Sequence, residues 1–288
     1  MKDMRIVFMG TPDFAAAILK RLIDTGRNVV GVFSQPDKPV GRKQIITPTA
    51  TKVVAMEHNI PVFQPAKLRD GEALKIMQEL KPDLTVVAAY GKILPKDILD
   101  VAPLGNVNVH GSLLPKYRGA APIQWSIVNG ETETGVTTFL LNHEIDKGAI
   151  IGQVREQIAE NDTVGTLYDR LMTIGSGLVI DSVNRIAEGN ITPIEQPQSD
   201  ENLRPAPKIF RDTCRIDWTR SAESIHNLVR GLSPYPAAWT PLYKDDAEYG
   251  SMKIFTTHFE VCNTNATPGT IRTDSKSYIA IACADGWL

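Results

Sequence analysis

The residues best suited to chemistry in this chain are Asn108 and His110, two apart in Asn106-Val107-Asn108-Val109-His110, with Asp146 downstream. Polar and apolar residues alternate through that stretch as they do on a strand. Asn106, Asn108 and His110 therefore share one face, and Val107 and Val109 the other. Gly111 breaks the strand. An Asn amide can donate to an oxygen that acquires negative charge, and an imidazole titrates near neutrality, so the pair suits attack on a carbonyl-like carbon. Asp146 offers a carboxylate partner for the ring. The same polar residues also suit a plainer role, lining a loop or satisfying buried backbone, and the local pattern leaves both open.

Positioning such a trio requires strands that end at a common edge. Arg5 to Met9 reads as a short apolar strand, Phe14 to Thr25 has helical spacing with Gly26 as its stop, and Asn28 to Phe33 is a second strand. Ile60 to Phe63, Asp83 to Ala89, Val107 to Val109 and Gly135 to Leu141 add strand candidates, with helical segments between several of them. The alternation predicts an α/β fold with a Rossmann-like open, mostly parallel sheet, helices on both faces and right-handed crossovers. Ligands in such sheets sit beyond the carboxyl ends of strands, where Asn108 to Pro115 falls. A dinucleotide-binding dehydrogenase is the rival for this fold class. However, Gly10-Thr11-Pro12-Asp13-Phe14 lacks the Gly-x-Gly-x-x-Gly spacing, and Pro12 removes a donor that a phosphate loop needs. It reads as a tight turn opening a helix, with Asp13 as N-cap.

Farther on, Leu167, Leu171, Ile174, Leu178, Val183 and Ile186 mark a helix over Thr163 to Ala187, started by Asp162 or Thr163 and stopped by Gly189. Residues 190–210 turn rich in Pro and polar residues, which marks a linker between a catalytic domain, 1–189, and a second domain, 211–288. In the latter, Ala222 to Leu232 reads as a helix, and Lys253 to Val261, Gly269 to Arg272 and Tyr278 to Ala282 as strands.

The longer strings are more specific. Asn108 to Pro115, continued by Tyr117-Arg118-Gly119-Ala120-Ala121-Pro122-Ile123-Gln124, resembles the signature of the folate-dependent formyltransferases. Gly10 to Phe14, Gln35-Pro36-Asp37-Lys38-Pro39-Val40-Gly41-Arg42 and Ala89-Tyr90-Gly91-Lys92-Ile93-Leu94-Pro95 narrow the resemblance to members acting on a charged tRNA. It implies transfer of a formyl group from 10-formyltetrahydrofolate to the α-amino group of methionine on initiator tRNA, in translation initiation. By the same resemblance, Asn108 and His110 hydrogen-bond the oxyanion, and Asp146 orients His110 and takes part in removing the amine proton. Ser112, Leu113, Leu114 and Pro115 contact the folate, although the two leucines suit core packing equally. The second domain is implied to be a small OB-like β-barrel. The chain ends at Gly286-Trp287-Leu288, where members of the family usually continue through a further strand and helix, so a truncated form or an open barrel is expected. Leu141 to Gly148 also departs from the family's Met-Asp-x-Gly-x-Asp-Thr-Gly. Glu144 stands where glycine is usual and takes positive φ less readily, which leaves the backbone beside the pterin pocket open.

Residues 35–52 hold Lys38, Arg42, Lys43 and Lys52 against only Asp37, while Pro36, Pro39, Gly41 and Pro48 oppose regular structure. This reads as an exposed basic loop of little apolar content, which in most proteins is a plain solvated connection. The resemblance implies instead that it enters the tRNA acceptor stem, with Arg42 the best candidate for a two-donor clamp on phosphate or a base edge. The net charge of -2 gives no global sign of nucleic-acid binding, so RNA contacts must be local.

At 288 residues and 42% hydrophobic, the chain can bury a sizeable core in about two domains. No apolar run approaches the roughly 20 residues of a membrane span, and the N-terminus leads straight into a strand with no secretory signal. Cys214, Cys262 and Cys283 are too widely spaced for a disulfide framework or zinc knuckle. A cytoplasmic monomer is expected. His143, Glu144 and Asp146 with His110 invite a metal reading, but no His-Glu-x-x-His and no cysteine pair supports it, and no metal is expected. Two alternatives remain beside the tRNA enzyme: a formyltransferase acting on a small amine such as an amino sugar, and a noncatalytic folate- or RNA-binding protein. The basic loop disfavours the first, and retention of Asn108, His110 and Asp146 disfavours the second.

Overall fold

A computed structural model describes every residue except 1, 2, 42, 198, 200, 202, 245 and 246. The chain divides into two compact units that interleave in sequence. The first comprises Met1–Arg118, Gly135–Arg155 and Arg170–Arg204, and the second Gly119–Thr134, Glu156–Asp169 and Pro205–Leu288.

The first unit alternates strand and helix as expected: β1 (Arg5–Gly10), α1 (Asp13–Asp24), β2 (Asn28–Phe33), β3 (Lys38–Val40), β4 (Ile45–Thr47), α2 (Ala50–Glu57), β5 (Val62–Phe63), α3 (Glu72–Leu80), β6 (Leu84–Ala88), α4 (Lys96–Leu99) and β7 (Asn106–His110). The chain enters the second unit for α5 (Pro122–Val128), and β8 (Glu133–Leu140), β9 (Ile150–Gln157) and α6 (Val164–Ala187) follow. The sheet order is β5-β2-β1-β6-β7-β8-β9. Pairing is parallel from β5 through β7, and β8 runs antiparallel to β7. The central strands are apolar on both faces because both are covered: Ile6, Val7, Phe8 and Met9 of β1 are fully buried. On one face Met9, Phe33, Met77, Val87, Tyr90 and Ile98 form a core. On the other, α6 approaches so closely at Gly175 that a Cβ there would lie 3.3 Å from Phe14 and 3.7 Å from Val109.

Three details of this part of the chain differ from the sequence reading. Residues 38–40 and 45–47 are not irregular: β3 and β4 pair as an antiparallel hairpin, with Lys38 opposite Thr47 and Val40 opposite Ile45. Pro39 is compatible with this because the hairpin has no further neighbour strand needing its missing N–H. Val40, Ile45 and Ile46 are exposed on it, so its apolar content is larger than expected. Second, Asp13 is the first residue of α1 rather than its cap. Pro12 holds the cap position without a side-chain bond, and Asp13 still favours the helix dipole from the first turn. Third, the pattern missed β9, whose outer half is mostly exposed and polar (Gln153, Arg155, Gln157), so no apolar run marks it.

In the second unit, Ser221 caps α7 (Ala222–Leu232) by accepting from Ser224 N–H, and the apolar face of α7 meets Cys214, Ile216, Ala238 and Cys283. Short strands follow: β10 (Ala238–Lys244), β11 (Ala247–Ile254), β12 (Glu260–Val261), β13 (Ile271–Thr273), β14 (Ile279–Ile281) and β15 (Gly286–Trp287), paired β10–β11, β12–β15 and β13–β14. Among the described residues no helix is long and apolar enough to cross a membrane.

Candidate active site

β7 delivers Asn108 and His110 to the carboxyl edge of the sheet. Its alternation is real: Val109 faces α6, whereas Asn106 on the opposite face donates through Nδ2 to the Leu99 carbonyl at 2.8 Å. The chain then turns at Gly111, and neighbouring strands hold the turn. Thr137 of β8 donates to the Ser112 carbonyl at 2.6 Å and accepts from the Leu114 N–H at 3.1 Å. Gln153 of β9 donates to the Leu114 carbonyl at 2.8 Å and to Thr137 Oγ1 at 2.9 Å, so the Thr137 hydroxyl is saturated.

His110 is only 6% exposed. Its Nε2 lies 2.8 Å from the Tyr117 carbonyl oxygen, which can only accept, so this nitrogen carries a proton. Nδ1 faces Asp146 Oδ2 at 3.8 Å, too long for a hydrogen bond but close for an ion pair once the ring is charged. Asn108 is half-buried, and its side-chain amide makes no hydrogen bond to another described residue, which leaves its two donors free for a ligand. The three residues singled out by type and spacing are thus gathered on one unit.

Asp146 sits in a turn after β8 and adopts φ 54°, a left-handed conformation that Asp tolerates better than most residues. Glu144 does not take positive φ; its N–H instead closes a small turn on Asn142 Oδ1 at 2.9 Å. The substitution that left this backbone open is therefore accommodated. Gly148 is irreplaceable on steric grounds, since a Cβ there would lie 1.6 Å from the Leu140 carbonyl oxygen. Gly148→Ala is expected to destabilise the fold by about 1–3 kcal/mol through a forced backbone shift. It should also lower turnover by moving Asp146. A thermal melt and a rate assay check both.

Two residues missed by sequence reasoning complete the site. Gln196, buried in a stretch read as linker, donates through Nε2 to the carbonyls of Asp146 at 3.0 Å and Gly148 at 2.7 Å. Arg118 donates to Gln196 Oε1 at 2.8 Å through Nη2 and 3.2 Å through Nε. Nothing in the composition of residues 190–210 singles out Gln196; only Arg118 lay within a recognisable string.

Of the folate candidates, Leu113 and Pro115 are half-buried and keep accessible surface. Ser112 and Leu114 are buried, with Ser112 Oγ committed to the Lys116 carbonyl at 2.7 Å. Lys38 and Lys43 are exposed on the β3–β4 hairpin, while Arg42 lies outside the described residues. Lys52 is not a free cation: from α2 it pairs with Asp37 at 2.6 Å and bonds Gln64 Oε1 at 2.9 Å. The Lys52 ammonium and the Gln64 amide hold the Asp37 carboxyl below the usual carboxylate range and tie the hairpin base to the sheet. The hairpin follows β2 and the Gly111–Pro115 turn follows β7; these strands are parallel, so both loops leave the same edge of the sheet. Among the described residues no group of three or more His, Cys, Asp or Glu side chains forms a metal-binding cluster.

Residues 4–183 match the formyl transferase family, and residues 208–288 match the formyl transferase C-terminal domain. The chain belongs to the formyl transferase family. Within it, this formyl transferase is 46% identical to the methionyl-tRNA formyltransferase of Bacteroides fragilis, over 100% of this chain and 89% of the relative. It is 47% identical to that of Parabacteroides distasonis, over 100% and 90%. An N-formyltransferase from Helicobacter canadensis, solved with folinic acid and dTDP-3-aminofucose, superposes with a TM-score of 0.70 over 99% of this chain and 97% of that one, at 21% identity. Glycinamide ribonucleotide transformylase 1 from Symbiobacterium toebii covers 67% of this chain and 95% of its own, with a TM-score of 0.57 and 20% identity. At those identities the two structures speak to the fold of this formyl transferase, not its acceptor.

Proposed function

We propose that this formyl transferase moves the formyl group of 10-formyltetrahydrofolate to the α-amino group of methionine esterified to initiator tRNA. The observation that carries this reading is the 46–47% identity, over the whole chain, to methionyl-tRNA formyltransferases. The N-formyltransferase solved with dTDP-3-aminofucose is only 21% identical.

The geometry suits the chemistry. The uncharged amine attacks the formyl carbon, the carbonyl oxygen becomes an oxyanion, and the bond from carbon to the folate nitrogen then breaks. The proton lost by the amine ends on that nitrogen, so the products are formyl-methionyl-tRNA and tetrahydrofolate. The free amide of Asn108 is the readiest donor to the oxyanion. His110 reaches it by exchanging the Tyr117 carbonyl for the substrate oxygen. The ring and the facing Asp146 carboxylate handle the amine proton, the carboxylate attracting the positive charge when the ring takes it up. Leu113 and Pro115 offer apolar surface to the donor, while the buried Ser112 and Leu114 shape the turn that presents it. All three proposed catalytic groups come from one chain, so a monomer suffices, and an acceptor that serves translation suits a cytosolic enzyme.

The β3–β4 hairpin is the tRNA reader in this account. Neutralising Lys38, Lys43 and Arg42 should leave the melting temperature and folate binding almost intact, because Lys38 and Lys43 are exposed. Each lost phosphate contact should reduce the slope of log affinity against log salt by roughly one for a duplex stem. Formylation of charged initiator tRNA across a salt series by Lys38→Ala, Lys43→Ala and Arg42→Ala measures this. Unchanged KM, kcat and slope in all three would remove the hairpin from tRNA recognition.

A further inference from the structure

Gln196 satisfies every polar atom of its buried side-chain amide with groups that admit one orientation only. Arg118 can only donate, so the amide oxygen must face it, and the carbonyls of Asp146 and Gly148 can only accept, so the NH2 must face them. The guanidinium also reaches the Pro197 carbonyl at 3.0 Å, anchoring both ends of the contact. A charged donor on the amide oxygen polarises the amide and strengthens its N–H bonds to the turn. That turn carries Asp146 at φ 54° and packs closely at Gly148, where an added Cβ would lie 1.6 Å from the Leu140 carbonyl oxygen. Arg118 directly follows Tyr117, whose carbonyl fixes His110 Nε2. One dipeptide therefore sets both partners of the His110–Asp146 pair, the ring through Tyr117 and the carboxylate through Arg118 and Gln196.

We infer that Gln196 is a positioning residue which, held by Arg118, fixes the Asp146 carboxylate against His110; this rests on the catalytic role proposed above for Asp146. Gln196 touches no reacting atom in this scheme and acts only through the turn.

The test is Gln196→Glu, which keeps the volume and the partner for Arg118 but replaces both donors with an oxygen facing two carbonyls. Steady-state kinetics with 10-formyltetrahydrofolate and charged initiator tRNA should show kcat reduced about 10-fold to 100-fold, as expected when a reacting group is misplaced by a fraction of an ångström to 1 Å. Both KM values should stay within about twofold, with a displaced pH–rate profile and a melt still cooperative above the assay temperature. In an Asp146→Asn background the same change should add nothing, since the carboxylate it positions is gone. Gln196→Met, which also lacks donors, carries the same expectation if the glutamate variant does not fold, and Arg118→Lys should give a smaller loss of the same kind. An impaired Asp146→Asn enzyme beside a Gln196→Glu enzyme of normal kcat rejects the positioning role alone. So does full additivity in the double variant. A normal Asp146→Asn enzyme rejects the carboxylate reading and the positioning role with it.

Discussion

Asn108→Ala is expected to lower kcat about 100-fold to 1,000-fold while leaving the folate KM nearly unchanged, because an oxyanion donor acts mainly in the transition state. His110→Ala should lose at least as much, but its other consequences differ. The Asn108 amide bonds no other described residue, so its removal should hardly move the melting temperature. Removing His110 deletes the bond to the Tyr117 carbonyl and opens a void beside Asp146, so that variant should also be less stable, by about 0.5–1.5 kcal/mol for the lost hydrogen bond alone. Steady-state kinetics beside thermal melts separate the two. Near-normal turnover in both variants would remove the pair from the mechanism.

Asp146→Asn should cost about 100-fold to 10,000-fold in rate at every working pH, the range of general acid–base catalysis. The substitution keeps the volume, and Asn also tolerates the left-handed backbone found at this position, so the turn and the fold should survive. What goes is the negative charge 3.8 Å from His110 Nδ1, and with it the attraction for a proton arriving there. A pH–rate profile and circular dichroism on the same preparation provide the check. An unchanged rate and profile would mean that the carboxylate serves some other purpose.

The sequence made β7 and its turn legible because both of their signals are local. Alternation in Asn106–His110 defines a strand, and Gly111 ends it. The sheet was readable for the same reason: β1, β2 and β6 are apolar runs, and α7 begins at a Ser cap and shows a sharp apolar face. The hairpin was not, since Pro39 and Gly41 argue against strands and only the isolated pairing of β3 with β4 lets them stand. β9 hid because its outer residues are polar. At the site, the types of Asn108, His110 and Asp146 pointed to chemistry, but the long-range bonds that hold them did not show. Gln196 lies 50 residues from Asp146, and Gln153 lies 39 from Leu114, distances across which no residue pattern signals a contact. Burial also sorted the turn after β7 into inward and outward residues, a distinction that Ser112-Leu113-Leu114-Pro115 does not carry in its letters.

The most direct test of the acceptor is a single competition. Purified protein is given 10-formyltetrahydrofolate together with methionine-charged initiator tRNA, free methionine and a nucleotide-linked amino sugar, and the formylated product is identified by mass. Formyl-methionyl-tRNA is the expected dominant product, formed at a rate that falls as salt rises. Formylation of the amino sugar with the charged tRNA left untouched would contradict the proposed acceptor.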